Sequence, residues 1–276
     1  MNAVLRCGES TLDLVEARVM GILNVTPDSF HDGGRHADLA GALAHARQMA
    51  ADGADVIDVG GESTRPGAAP VPEAEELRRV VPVIEALAGE GLLVSADTRR
   101  PAVMRAAIAA GAAMINDVGA LTAPGALDVL AGSDAAICLV HMQGEPGTMQ
   151  RAPHYGDVVG EVRAFLLARA RACEDAGIAR ERIVVDPGFG FGKTLAHNLA
   201  LLRALPELAT AGYPVLAGLS RKSSLGTITG RAVEERMPAS LAAALTAVAR
   251  GAAIVRVHDV RETVDALKVW RAVLQG

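Results

Sequence analysis

Polar and charged side chains recur along this chain directly after short apolar runs. These positions hold carboxylate, amide, imidazole, hydroxyl, ammonium and guanidinium groups: Asn24, Asp28, Asp32, Glu62, Thr64, Arg65, Asp97, Asn116, His141, Asp186, Lys193, Ser220, Arg221, Lys222, Arg256 and His258. Such a set offers hydrogen-bond donors and acceptors together with charges of both signs. If the ends of the runs meet at one place, they form a pocket for a polar ligand.

Three of these residues fit a flat heterocycle. Asp97 and Asp186 each close an apolar run, in VSAD and VVD, and Asn116 lies in MIND. Each carboxylate could instead cap the helix that follows it. Together the three match an amino-pyrimidinone edge, because its ring N–H and exocyclic amine are donors and its carbonyl and ring nitrogens are acceptors. Lys222 is one of only three lysines among 27 basic residues, which favours a need for a compact single-point donor there.

A second group fits an anion. Arg256 and His258 alternate in the last apolar run, VRVH, and Asn24 follows the first run. If His258 were instead a core histidine, Arg256 would be an unpaired charge in the same apolar strand. Asn24 offers a hard oxygen, which suits magnesium delivered by a diphosphate. No His or Cys spacing typical of zinc is present.

Two loops look too long to be simple connectors. Residues 30–34 and 64–67 contain glycine and proline, and we expect them to act as mobile lids over the pocket, although they could be plain surface loops. The segment GFGFGKT resembles a phosphate-binding loop but has Pro187 where that motif requires glycine. It is better interpreted as a mobile or tightly turned connection between a strand and a helix, with Asp186 as the functional group.

The spacing of the apolar runs predicts the fold. Eight runs begin near residues 20, 55, 92, 114, 137, 183, 214 and 254, separated by stretches long enough for helices. A fully apolar run followed by a helix is typical of a parallel strand and its crossover, so eight repeats predict a (β/α)8 TIM barrel. In this fold the strand ends converge on one mouth. The first 18 residues predict a short β-hairpin at the bottom of the barrel, and we expect one domain spanning residues 1–276.

Composition excludes several partners. The 276 residues are 50% hydrophobic and carry a net charge of −5 without a basic block, so we expect no nucleic-acid partner. No apolar run is long enough for a membrane span, and the first residues lack the apolar core of a secretion signal. Three cysteines without metal or redox spacing indicate apolar fillers in a reducing compartment. We therefore expect a cytoplasmic protein.

The motifs in sequence order carry a resemblance. They are GILNVTPDSFHDGG, GADVIDVGGESTRPGA, VSADT, MINDVGA, HMQG, VVDPGFGFGK, GLSRKSS and VRVHDV, spread over nearly the whole barrel. This combination resembles the dihydropteroate synthase family of pterin-binding enzymes. The resemblance implies an enzyme of folate biosynthesis, a transferase that joins 6-hydroxymethyl-7,8-dihydropterin diphosphate to 4-aminobenzoate and releases diphosphate and 7,8-dihydropteroate. It also implies a homodimer.

The resemblance assigns roles at matching positions. The pterin ring would be held by Asp97, Asn116, Asp186 and Lys222. The diphosphate would be held by Arg256 and His258, with Mg²⁺ as cofactor on Asn24. The aminobenzoate pocket and the closing loops would be built by Phe30, Asp32, Thr64, Arg65, Pro66, Lys222 and Ser223. Asp32, Asp97 and Lys222 would be catalytic. The chain departs from the family pattern at His31, where serine is common, and at Val140, where methionine is expected.

A dissociative, SN1-like displacement suits these groups. The magnesium ion, Arg256 and His258 would neutralise the departing diphosphate, while Asp97 and Asp32 stabilise positive charge on the pterin methylene. Three rival functions have a basis in the sequence. A pterin-binding methyltransferase module shares the barrel but has no use for the anion-binding pair, an inactive paralogue would be expected to have lost motif residues, and a Schiff-base aldolase would use Lys222 as its nucleophile.

Overall fold

The computed structural model describes residues 4–25, 34–62 and 71–275, the side chains of 34–38 and 275 excepted. Within these residues the chain forms a parallel β-barrel surrounded by helices, preceded by a two-stranded antiparallel hairpin. The predicted TIM barrel and its N-terminal hairpin are both confirmed.

The strands follow the predicted apolar runs. They are β1 (Val4–Cys7), β2 (Ser10–Asp13), β3 (Arg18–Asn24), β4 (Val56–Gly60), β5 (Val94–Asp97), β6 (Met114–Asp117), β7 (Ala136–Val140), β8 (Ile183–Asp186), β9 (Leu216–Ala217) and β10 (Ile254–Val257). Every residue of β4 and β7 is buried, as expected for strands covered on both faces.

Helices connect the strands on the outside of the barrel. They are α1 (Gly34–Ala51), α2 (Glu73–Gly89), α3 (Pro101–Ala109), α4 (Ala126–Ala131), α5 (Val158–Asp175), α6 (Leu195–Arg203), α7 (Leu205–Ala209), α8 (Ser223–Thr229), α9 (Met237–Ala249) and α10 (Val260–Gln275). Local signals start some of them. The Asp157 carboxylate accepts hydrogen bonds from two backbone N–H groups at the start of α5, and Thr194 and His197 form a capping box on α6.

The sheet has the order β8-β7-β6-β5-β4-β3-β10-β9, and all of its pairings are parallel. A parallel bridge between Val185 and Val215 joins the two edge strands, with the N–H of Val185 donating to the carbonyl of Pro214 at 3.0 Å. The ring therefore closes, and the carboxyl ends of strands distant in sequence surround one mouth.

Two apolar clusters stabilise this arrangement. The larger lies between strands and helices, and the smaller fills the barrel, where Met20, Val56 and Met114 are almost fully buried. Burying each such side chain contributes roughly 1.5–3 kcal/mol. Leu5 and Cys7 of the hairpin belong to the inner cluster, so the hairpin covers the amino-terminal end of the barrel, as predicted.

Strand alternation determines which residues reach the mouth. In β4, Val56 belongs to the inner cluster and Ile57 to the outer one, so Asp58 and Gly60 face inward. Cys7, Cys138 and Cys173 are buried free thiols, consistent with their interpretation as fillers. None of the described helices is long and apolar enough to cross a membrane.

Candidate active site

One row of residues crosses the mouth of the barrel. Strand pairing places Asn24 opposite Gly60, Gly60 opposite Asp97, and Asp97 opposite Asn116. A Cβ built on Gly60 would lie 3.8 Å both from Asn24 Oδ1 and from Asp97 Oδ2, so this glycine leaves space between the two side chains. Asn24, Asp97 and Asn116 therefore lie in one row on β3, β5 and β6, with Gly60 of β4 between the first two.

A buried carboxylate beneath this row joins it to the last strand. Asp58 is fully buried, and its Oδ2 accepts hydrogen bonds from Arg256 Nε at 2.5 Å and from Asn116 Nδ2 at 3.0 Å. The same guanidinium donates from Nη2 to Asp97 Oδ2 at 2.6 Å. Arg256 was expected to serve an anion; in this structure it lies between two carboxylates on strands β4 and β5. These two carboxylates hold its guanidinium at the mouth.

Burial sets the protonation of this cluster. Desolvation raises the pKa of Asp97 to about 7, opposed by the positive charge of Arg256 and reinforced by the negative charge of Asp58. For Arg256, burial alone would lower the pKa, but the carboxylates of Asp58 and Asp97 outweigh it and raise that pKa. Arg256 is therefore a permanent cation, whereas Asp97 gains or loses its proton near neutral pH.

Hydrogen-bonding capacity is left over in the same region. Among the described residues, the buried side-chain atoms Asp58 Oδ1, Ser95 Oγ and Asn116 Oδ1 have no hydrogen-bond partner. Leaving a buried acceptor unpaired costs about 1–3 kcal/mol, so native proteins do so mainly where a ligand or function requires it. The cluster is thus prepared to accept hydrogen bonds from a ligand.

Asp186 and Lys222 form the other half of the mouth. Asp186 ends β8, and its Oδ1 accepts from the N–H of Gly188 at 2.7 Å. Burial raises the pKa of Asp186, opposed by the charge of Lys222. Burial lowers the pKa of Lys222 to about 8, opposed by Asp186. A Cβ on Gly218 would lie 3.9 Å from both Asp186 Oδ2 and Arg256 Cβ, so the two halves meet across that glycine.

Lys222 is presented by a strained turn. Arg221, immediately before it, has a φ of 55°, which is uncommon for a residue with a side chain. The N–H of Arg221 donates to Ser240 Oγ at 2.9 Å, its carbonyl accepts from Arg236 Nη1 at 3.1 Å, and its guanidinium is paired with Asp259. These contacts hold the turn that directs Lys222 into the mouth.

The predicted anion-binding residues are only partly grouped. A cavity of about 700 Å³ has Asn24, His258 and Arg221 in its wall, but Arg256 does not line it. The ring Nδ1 of His258 lies 3.0 Å from Ser220 Oγ, and the backbone N–H of His258 donates to the same oxygen at 3.2 Å. Asn24 and His258 thus share a cavity that extends outward between α1, through His45 and Asp52, and the start of α10; the cluster carboxylates Asp58 and Asp97 do not line it.

The remaining predicted residues lie partly within and partly outside the part of the chain that the structure describes. Ser223 is exposed at the first position of α8, next to Lys222. Phe30, Asp32, Thr64, Arg65 and Pro66 lie outside the described residues, as does His31. Val140 is buried in the inner cluster, and a Cβ on Gly188 would lie 3.3 Å from one of its methyl groups.

Asp58 was missed by the sequence argument. It lies within an apolar run rather than at its end, so a survey of strand ends passes over it. The available signal was its inward register: a carboxylate two positions before Gly60 in a fully buried strand must be paired or used. Ser95, two positions before Asp97, has the same relationship to its strand end.

The side chains at the mouth limit how a magnesium ion could be held. Among residues 4–25, 39–62 and 71–274, no three His, Cys, Asp or Glu side chains are grouped closely enough to hold a metal ion. The Asn24 amide supplies one hard oxygen at the mouth. Magnesium is commonly held by one or two protein oxygens together with substrate phosphates, so this residue fits a metal that arrives with a diphosphate.

Comparisons with known proteins agree with the barrel fold and identify the family. A model of the pterin-binding enzyme family matches residues 20–258. The dihydropteroate synthase of Neisseria meningitidis serogroup B is 55% identical over 276 residues, covering 98% of this chain and 97% of that protein. A Xanthomonas albilineans dihydropteroate synthase structure with 4-aminobenzoic acid superposes with a TM-score of 0.94 at 55% identity, covering 99% of each chain. One from Burkholderia cenocepacia with 7,8-dihydropteroate gives 0.91 at 55% identity, covering 99% of this chain and 97% of the other.

The family model spans the barrel from its first strand to its last, and the chain belongs to the pterin-binding enzyme family. Within it, the chain belongs to the dihydropteroate synthases and is a transferase.

Proposed function

We propose that the mouth of this barrel joins 6-hydroxymethyl-7,8-dihydropterin diphosphate to 4-aminobenzoate, forming 7,8-dihydropteroate and diphosphate for folate biosynthesis. The observation that carries this proposal is the group of acceptors at one mouth, buried Asn116 and Asp186 and the nearly buried Asp97, with Lys222 as a donor. This arrangement complements an amino-pyrimidinone ring.

Each group has a place in ring binding. The carboxylates of Asp97 and Asp186 accept from the ring N–H and exocyclic amine, and Asn116 Oδ1 supplies a further acceptor. Lys222 Nζ donates to the carbonyl or a ring nitrogen of the pterin. Hydrogen bonds to charged partners in a buried site are each worth roughly 1.5–3 kcal/mol, enough to select this ring over an apolar one of equal size.

The diphosphate extends toward Asn24 and His258, which share the 700 Å³ cavity. Asn24 would hold the magnesium ion that accompanies this substrate. Bound magnesium would offset negative charge on the leaving group. Arg256 remains within the carboxylate cluster, where Asp58 holds its guanidinium. From there it provides positive charge between the ring and the diphosphate.

The displacement proceeds through a dissociative, SN1-like step. The bond between the pterin methylene carbon and the diphosphate oxygen breaks, and its electron pair leaves with the diphosphate. Asp97 and Asp32 stabilise the cation on the methylene. The amine of 4-aminobenzoate then bonds to that carbon and loses a proton to water. This order suits a weakly nucleophilic aromatic amine better than direct displacement.

The aminobenzoate pocket completes the site. We assign it to Phe30, Asp32, Thr64, Arg65 and Pro66, together with Lys222 and Ser223. Only the last two are among the described residues; the exposure of Ser223 beside Lys222 is compatible with contact to a second substrate. We further propose that the chain is a single domain over residues 1–276, works as a homodimer and acts in the cytoplasm.

A direct assay tests the proposal. The purified chain is incubated with pterin diphosphate and 4-aminobenzoate, with magnesium or with a chelator, and 7,8-dihydropteroate is followed by chromatography. We expect product only with both substrates and magnesium. Absence of product under all conditions would contradict the proposed function and favour an inactive paralogue.

A further inference from the structure

Lys193 is a buried lysine to which neither the proposed mechanism nor the family resemblance gives a role. It directly follows the glycine loop, which we define as residues 187–192 after β8, and is only 3% exposed. Its Nζ lies 2.9 Å from His141 Nδ1 and donates to the carbonyls of His141 at 3.2 Å and Phe191 at 3.0 Å. All three N–H positions of the ammonium are therefore accounted for.

These contacts join the glycine loop to the segment after β7. The loop backbone lies very close to that segment: a Cβ on Gly188 would be 1.9 Å from the His141 carbonyl oxygen, and one on Gly192 would be 2.3 Å from that of Gln143. Both glycines have positive φ, so only glycine permits this approach. The loop thus has one packed arrangement, and Lys193 provides its buried polar connection.

Two side chains beyond His141 strengthen the same connection. Tyr155 donates from its hydroxyl to the carbonyl of Gly192 at 2.9 Å, and Gln150 donates to the carbonyl of Gly190. On the other side, Asn198 Oδ1 of α6 accepts from the N–H of Gly190 at 2.8 Å. The glycine loop is therefore fixed from both flanks.

The outer face of this loop contacts Lys222. The Lys222 ammonium donates to the carbonyl of Phe189 and lies 4.3 Å from the ring centre of Phe191. A cation over an aromatic face is attracted by the ring, and a carbonyl acceptor restricts it further. The position of Lys222 Nζ in the mouth thus depends on the conformation of residues 189–191, which Lys193 and His141 fix from beneath.

Protonation is consistent with this role. Burial, aided by the charge of Lys193, lowers the pKa of His141 to about 3, so its ring is neutral and Nδ1 can accept a hydrogen bond. Burial lowers the pKa of Lys193 to about 7, partly opposed by Asp186. The charged ammonium has one hydrogen for each of the three partners, whereas the neutral amine keeps two of these hydrogen bonds.

We propose that Lys193 is a positioning residue, which fixes the glycine loop so that Phe189 and Phe191 hold the Lys222 ammonium where the pterin ring binds. The inference rests on the proposed role of Lys222 in pterin binding. The alternative is that Lys193 only stabilises the fold.

The scarcity of lysine makes a direct test possible. The chain has three lysines, so labelling lysine with ¹³C at Cε gives three side-chain NMR signals, and exposed Lys268 is an internal reference. In Lys193→Met we expect the Lys222 signal to shift as its ring contact with Phe191 loosens, while the Lys268 signal stays in place. Affinity for 6-hydroxymethylpterin should fall roughly tenfold, within the range for coupled neighbours.

A matched control separates positioning from stability. Arg182 is equally buried, and it donates to the carbonyls of Leu130 and Ala135 at the opposite end of the barrel. Arg182→Met should lower the melting temperature without moving the Lys222 signal or the pterin affinity. Lys193 and Lys222 also interact directly through their charges. Tyr155→Phe changes no charge but removes a weaker anchor of the same loop, so it should give a smaller shift in the Lys222 signal, and it decides alone if Lys193→Met does not fold.

The possible outcomes distinguish the positioning role of Lys193 from the proposed role of Lys222 in pterin binding. An unmoved Lys222 signal in either Lys193→Met or Tyr155→Phe would overturn the positioning role. A shifted signal with unchanged pterin affinity would support positioning but contradict the proposed use of Lys222 in pterin binding. A shifted signal with weakened affinity is the result we expect.

Discussion

Arg256 donates from Nε to Asp58 Oδ2 at 2.5 Å across 198 residues of sequence. The contact joins the last strand of the barrel to its second, beneath the mouth. Since Asp58 is fully buried and also accepts from Asn116, it fixes a cation and an amide that both face the ligand site. The carboxylate thereby orders the groups around it.

Replacing this carboxylate should destabilise the protein. Asp58→Asn keeps the shape but leaves the Arg256 charge with one carboxylate partner instead of two, and we expect a loss of about 3 kcal/mol in the free energy of unfolding. The control is Asp134→Asn, in a surface pair with Arg6, where the side chain is 79% exposed and the change should stay below about 1 kcal/mol. Urea denaturation measures both. Equal, small losses would show that the buried pair does not matter for stability.

Pterin binding should depend on the pair across the mouth. Asp186→Asn and Lys222→Ala each leave ligand groups without their charged partner, and each should weaken a pterin analogue by about 1–3 kcal/mol or more. Calorimetry measures the affinity, with Lys268→Ala as the control because that lysine is 68% exposed. Wild-type affinity in either site variant would rule out the pocket assignment.

The diphosphate should depend on Arg256 more than the ring does. Arg256→Lys keeps a positive charge beside Asp58 and Asp97 but loses the two-pronged geometry, so the effect on folding is limited. We expect the variant to weaken the diphosphate substrate more than a pterin lacking phosphates, because only the former carries charge to be paired. Both affinities are measured by calorimetry. Equal losses would mean that Arg256 serves only the ring or the fold.

Affinity for the pterin should pass through a maximum with pH. Asp97, whose pKa is about 7, accepts as a charged group only above that value, so binding weakens as the pH falls below it. Lys222, whose pKa is about 8, donates as a cation only below that value, so binding also weakens as the pH rises. Each limb should approach about tenfold per pH unit.

The alkaline limb has its own control. Lys222→Arg carries its charge at every accessible pH, so titration of this variant should lose the decline above pH 8 and keep the decline below pH 7. A decline on the alkaline side that persists in Lys222→Arg would assign it to another group.

The barrel could be predicted from the sequence because the evidence for each strand lies within one short segment. Each apolar run, such as that ending in Asp97, shows both its burial and the place where it stops. The pairing of Arg256 with Asp58 and Asp97 could not be predicted in this way, since it depends on the register of strands far apart in the chain. The contact of Lys193 with His141 depends likewise on how two loops pack.

Asp97→Asn tests most directly whether the charged carboxylate of Asp97 stabilises the cation on the pterin methylene. Asparagine resembles the protonated carboxyl in shape and cannot stabilise a cation as a charge would. Steady-state rates of 7,8-dihydropteroate formation are compared for the wild type, Asp97→Asn and the surface control Asp134→Asn. We predict that kcat/KM falls by about 100-fold or more in Asp97→Asn alone; a wild-type kcat/KM in that variant would contradict the account.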